Sequence, residues 1–81
     1  MARPYKNSSD HQELIAFGSA VRSIRLDKGI SQETLADLAG IDRSYMGGVE
    51  RGEHNIALIN MGRISNALEV SVSSVMKKAG L

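Results

Sequence analysis

The sequence predicts an all-α fold, a compact five-helix bundle, and three observations predict it. The first is a pair of matching helix starts, Ile30-Ser31 with Leu35 and Ile41-Asp42 with Met46, separated by Gly40. The second is helical spacing of apolar residues before and after that pair: Leu14, Phe17, Val21 and Ile24, then Leu58, Met61, Ile64 and Leu68. The third is composition. A chain that is 42% hydrophobic but only 4% aromatic suits small helices packed through Leu, Ile, Val, Met and Ala.

Helix 1 is predicted from about Asp10 to Lys28, capped by Asp10 or Ser9. Gly18 lies in its apolar stripe and lets another helix come close. Arg22, Arg25 and Lys28 give it a basic C-terminal half, which suits the helix dipole, and Gly29 ends it. Helix 2 spans about Gln32 to Ala39. The Ser31 hydroxyl can accept from an amide one turn in, and Ile30 and Leu35 occupy the hydrophobic-staple positions. Leu35, Ala36, Leu38 and Ala39 are expected to face inward.

Helix 3 spans about Arg43 to Arg51 and repeats this grammar, with Asp42 as cap and Ile41 and Met46 as staple. Gly40 suits the left-handed residue between the two helices. Met46 and Val49 face inward, leaving Arg43, Ser44, Tyr45, Gly47 and Gly48 on the exposed side. Ala36 is small where the helices cross. This is the layout of a helix-turn-helix, whose second helix enters the major groove of DNA. Gly52 closes helix 3. Helix 4 follows from about Leu58 to Leu68, its stripe of Leu58, Met61, Ile64 and Leu68 widened by Ile59 and Ala67. Helix 5 starts at Val72 or Ser73, capped by Ser71 or Ser73, and runs to Ala79, with Val72, Val75 and Met76 apolar.

At 81 residues the chain reads as one domain over residues 10–81, preceded by a flexible N-terminal arm, residues 1–9. It has no cysteine, hence no disulfide and no thiolate metal site. His11 and His54 are too far apart in sequence for a metal-ligand pair. No stretch approaches the ~18 apolar residues of a membrane span, and the start lacks an apolar signal region. A cytoplasmic protein is expected. Paired carboxylates in a cleft, a nucleophile–base pair and a glycine-rich phosphate loop are all missing, so no enzymatic chemistry is predicted. Net charge is only +1, with a pI of about 8.1. Nucleic-acid binding therefore needs the charge sorted onto one face.

The run Ser31-Gln32-Glu33-x-Leu35-Ala36-x-x-Ala39-Gly40-Ile41, followed by Val49-Glu50-Arg51-Gly52, resembles the phage-repressor-like (Cro/C1, or Xre) helix-turn-helix family, a lambda-repressor-like DNA-binding domain. The resemblance covers roughly residues 14–76. Asp42-Arg43-Ser44-Tyr45-Met46-Gly47-Gly48-Val49-Glu50-Arg51-Gly52 is more narrowly similar to the controller proteins of restriction–modification systems. The resemblance implies a sequence-specific transcriptional regulator, a homodimer on a near-palindromic operator. Its partners are double-stranded DNA and a second copy of itself, with no cofactor, metal, membrane or small-molecule ligand. A cytoplasmic, nucleoid-associated location follows. An antitoxin or prophage repressor of the same fold, or a protein-interaction module that no longer reads DNA, are the alternatives.

By the same resemblance, Arg43, Ser44, Tyr45 and Gly48 face bases. Arginine can bond guanine O6 and N7 together, worth ~1–3 kcal/mol of discrimination. Tyr45 touches a phosphate or a thymine methyl, or packs under helix 3. Gly47 and Gly48 each cost ~1 kcal/mol inside a helix, so close approach is expected there, by DNA at Gly48 and by another helix or a phosphate at Gly47. Gln32, Arg51, His54 and Asn55 are candidates for the DNA backbone, although controllers commonly carry a basic residue where His54 stands. Arg25 and Glu50 are implied to form a partly buried ion pair between helices 1 and 3. Ile59, Arg63, Val70, Val72, Val75 and Met76 are the dimer-interface candidates, or else they close the monomer core. Glu33, Asp37, Glu53 and Glu69 are expected to face away from DNA.

Overall fold

The computed structural model describes residues 11–81. The helices are α1 (Gln12–Asp27), α2 (Gln32–Ala39), α3 (Arg43–Glu50), α4 (Leu58–Ala67) and α5 (Val72–Ala79), with no strand among the described residues. Three of the caps are side-chain caps. Ser31 Oγ accepts from the Thr34 amide at 3.0 Å, Asp42 Oδ2 from the Ser44 amide at 3.0 Å, and Ser71 Oγ from the Ser74 amide at 3.0 Å. Gly40 takes the left-handed conformation (φ 68°), and the Ile41 amide returns to Ala36 O at 2.9 Å. That bond turns the chain sharply between α2 and α3. α4 ends the same way without glycine: Glu69 holds φ 61° while the Val70 amide bonds Ser65 O at 3.0 Å.

α1 packs on α3 and α5, α2 on α3 and α4, and α4 on α5. Phe17, Val21, Leu35, Ala36, Met46, Val49, Ile64, Leu68 and Val75 meet in one core. Gly18 is buried where α1 crosses the end of α3, against the carbonyls of Val49 and Glu50.

Several expectations are corrected. α1 begins at Gln12, with His11 in the cap position making no side-chain cap bond; Ser9, Asp10 and the arm, residues 1–9, lie outside the described residues. α3 and α4 each stop one residue early, with Arg51 and Leu68 as the half-helical caps. Leu38 is 62% exposed instead of facing inward. A helix advances ~100° per residue, which puts Leu38 well off the stripe of Leu35, Ala36 and Ala39. Leu58 is 69% exposed, being the first residue of α4 and at the edge of its stripe. Val75 is fully buried, so it belongs to the core and is removed from the dimer surface. Val70 is half-buried and packs against the same core.

Candidate nucleic-acid interface

The start of α3 is held by its cap. Asp42 Oδ2 accepts from the amides of Ser44 (3.0 Å) and Tyr45 (3.3 Å) and from the Ser44 hydroxyl. The Ser44 proton is thus committed to Asp42, and its oxygen is left as an acceptor pointing out of α3. These bonds, the Ser44 hydroxyl first and then the Tyr45 amide, hold the Asp42 carboxyl below its ordinary value of 3.8. A depressed carboxylate stabilises the fold above its unfolded pKa, and that contribution is lost as pH falls through the folded value. Unfolding midpoints measured downward from pH 5 are therefore expected to drop below about pH 4, and Asp42→Asn is expected to flatten that drop.

Beside the cap, Arg43 is open to solvent, its guanidinium 4.0 Å from Glu33. Arg43, Ser44, Gly47, Arg51 and Gln32 line a shallow groove of about 290 Å³ where the start of α2 meets α3. Gly47 forms its floor. A Cβ there would lie 3.1 Å from Arg51 Nη1 and 3.3 Å from Gln32 Oε1, so the bare backbone admits both side chains.

Under the groove lies the pair of Arg25 and Glu50. Arg25 Nε donates to Glu50 Oε2 at 2.7 Å and Nη2 to Oε1 at 3.0 Å, and Nη1 reaches Ile30 O at 3.0 Å. Gln32 Nε2 adds a third donor to Glu50, at 3.1 Å. Gln32 therefore faces two ways, tying α2 to the interior pair while lining the surface groove. The hydrogen bond to Glu50 raises the Arg25 pKa, against the opposing effect of burial, so Arg25 stays charged in the folded protein.

On the other flank, Tyr45 and His54 stack with centroids 4.7 Å apart and planes 14° from parallel. The Tyr45 hydroxyl receives Asn60 Nδ2 at 3.5 Å. The expectation placed DNA against Gly48. Gly48 is instead buried under the His54 imidazole, whose Cε1 lies 3.3 Å from where a Cβ would stand and whose Nε2 lies nearer still. The reason is the loop path: the Glu53 amide returns to Gly48 O at 2.9 Å and brings His54 back over α3. Gly48→Ala would push only against the far end of the His54 side chain, which can turn aside. It is expected to keep or raise stability, by up to ~1 kcal/mol, while displacing His54 from Tyr45. The ring-current shift of the His54 Hε1 proton reads that loss directly.

Arg51 is not a free cation. Its Nε donates to Glu53 Oε2 at 2.9 Å and its Nη2 to Oε1 at 3.2 Å. This bond lowers the Glu53 pKa and raises that of Arg51. Glu33 and Glu53, both expected to face away, thus lie beside cations of this surface. Asn55 is exposed and shares a cleft with His11, Glu13, Leu14 and Glu53. Asn60 and the pairing role of Glu53 escaped the sequence reading. Glu53 had a signal in its closeness to Arg51; Asn60 had none, because only the fold carries α4 to Tyr45.

Among the described residues no group of three His, Cys, Asp or Glu side chains is placed to hold a metal ion, and no helix is long and apolar enough to cross a membrane. Two short helices joined at a left-handed glycine, the second presenting Arg43 and Ser44 at its start, define a helix-turn-helix. A helix-turn-helix family model matches residues 21–75, more than half of the chain. The chain belongs to this Cro/C1-type family of DNA-binding transcription regulators, which are not enzymes.

Within the family its relatives are more particular. The chain is 39% identical over 72 residues to Control protein C.SmaI of Serratia marcescens, covering 89% of this chain and 83% of that one. It is 41% identical over 63 residues to Control protein C.BamHI of Bacillus amyloliquefaciens, covering 76% and 78%. The crystal structure of the restriction-modification controller protein C.AhdI from Aeromonas hydrophila matches with a TM-score of 0.79 at 46% identity, over 80% of this chain and 98% of that one.

Proposed function

We propose that this regulator is a restriction–modification controller that binds a near-palindromic operator as a homodimer and regulates its own promoter among its targets. The observation that supports it is the exposed first turn of α3, with Arg43 and Ser44 beside the groove of Gln32, Gly47 and Arg51, on a chain similar to named controllers. Two copies of α3 would enter successive major grooves about 34 Å apart. Arg43 reads guanine through paired bonds, and the Ser44 oxygen accepts from an exocyclic amine. Tyr45 borders the base face with His54 stacked on it. Gln32, Arg51, His54 and Asn55 take the DNA backbone, fixing register without carrying sequence information.

The dimer surface is drawn from what the core leaves open. Ile59 is 72% exposed, with Arg63 one turn further along α4. Val72, Met76 and Leu81 line an apolar groove on α5. Such a dimer works on nucleoid DNA in the cytoplasm.

Selection from random duplex DNA at physiological salt tests the reading. An enriched palindrome with half-sites one helical turn apart is expected. Arg43→Ala should then lose preference at one position in each half-site, by ~1–3 kcal/mol. No enrichment, with only salt-sensitive weak binding, would overturn it.

A further inference from the structure

Arg51 and Glu53 are both more than half exposed, with side-chain accessibilities of 60% and 56%. Pairs in such solvent contribute little to stability. Yet this pair has two-pronged geometry, both carboxylate oxygens taking guanidinium protons. That is the geometry with which arginine grips a phosphate. The guanidinium also lies over Gly47, in the groove with Gln32, Arg43 and Ser44. The carboxylate therefore takes one edge of the guanidinium, Nε and Nη2, and leaves Nη1 over Gly47 for a DNA phosphate, while neutralising much of the charge that would draw the phosphate in. It also adds a negative charge on the same loop as His54.

We propose that Glu53 is a built-in competitor for the DNA phosphate at Arg51, an affinity-setting residue that holds one edge of the guanidinium and offsets the charge the backbone contact relies on. The proposal rests on the placement of Arg51 against DNA under the proposed function. Because Glu53 stays at the surface, it also cancels one positive charge of the interface. Fewer counterions are then displaced than the count of basic residues implies. The effect is independent of base sequence, since phosphates carry none. Glu53 therefore lowers specific and non-specific binding together and leaves their ratio to Arg43 and Ser44.

The test is fluorescence anisotropy with a labelled duplex of the selected sequence and a scrambled duplex of equal length, over a range of salt. Wild type, Glu53→Gln, Arg51→Ala and the double variant are compared, with circular dichroism confirming the fold of each. Glu53→Gln is expected to tighten both duplexes several-fold and to steepen the slope of log K against log salt by about one per protomer. In the Arg51→Ala background the same substitution should give a clearly smaller gain, the part due to its charge alone. No gain from Glu53→Gln, or an equal gain in both backgrounds, overturns the competition. A wild type that does not separate the two duplexes defeats the operator reading instead, and the scrambled duplex alone still decides the role of Glu53.

Discussion

Replacing Glu50 with alanine is expected to cost about 3–5 kcal/mol of folding stability, because it strands a buried guanidinium. Arg25 and Glu50 are each only 8% exposed. Arg25 cannot escape by losing its proton, since a guanidinium stays charged in proteins even without its partner. Its one remaining bond would be Nη1 to Ile30 O. Against a total stability of roughly 5–15 kcal/mol, that is a large share of what holds the domain folded. Replacing both partners, as Arg25→Met with Glu50→Leu, removes the stranded charge. It is expected to recover most or all of the loss. Urea unfolding at neutral pH measures both. A single-variant loss under ~1 kcal/mol would mean that the pair is not desolvated as its burial implies.

The second large effect is at Gly18. An alanine inside a helix is ordinarily ~1 kcal/mol better than glycine. At Gly18 the sign reverses. The added methyl would overlap the Val49 carbonyl oxygen and stand 2.7 Å from that of Glu50, both backbone atoms that cannot rotate aside. α1 would have to lift from α3, disturbing the Arg25–Glu50 bonds along with the packing. Overpacking of this kind costs ~1–3 kcal/mol, and the strained ion pair adds to it, so a net loss of ~2 kcal/mol or more is expected. Gly62, inside α4 with nothing within 4 Å of an added Cβ, is the control. Gly62→Ala should gain up to ~1 kcal/mol. Opposite signs at the two glycines are the prediction; two gains would show that α1 and α3 do not touch at Gly18.

These two cases show how far the sequence could be read. The Arg25–Glu50 pair spans twenty-five positions and was legible only through the family resemblance. Close approach at Gly18 was expected from a glycine in a helical stripe, but its partner was not. At Gly48 the same reasoning named the wrong visitor. A helix glycine signals that something comes near; it does not say whether that is DNA or the protein's own loop. Val75 and Ile59 make the same point on the apolar side. Both were dimer candidates, yet one is sealed in the core and the other is 72% exposed.

What the sequence determined by itself is local. Caps at Ser31, Asp42 and Ser71, the left-handed Gly40 and the staples set where α2, α3 and α5 begin and how α2 turns into α3. Those choices depend on hydrogen bonds and contacts within about a turn of helix, so neighbouring residues suffice to specify them. Only the tertiary structure decided which charges and rings meet at the surface. The His54 ring over Gly48 and Asn60 on Tyr45 depend on how distant elements pack and on the path of the loop after α3. Glu53 on Arg51 depends on the turn between them. The turn itself is closed locally, by Gly52 and the Glu53 amide returning to Gly48, but which ring and which α4 side chain meet beyond it depends on the packed helices.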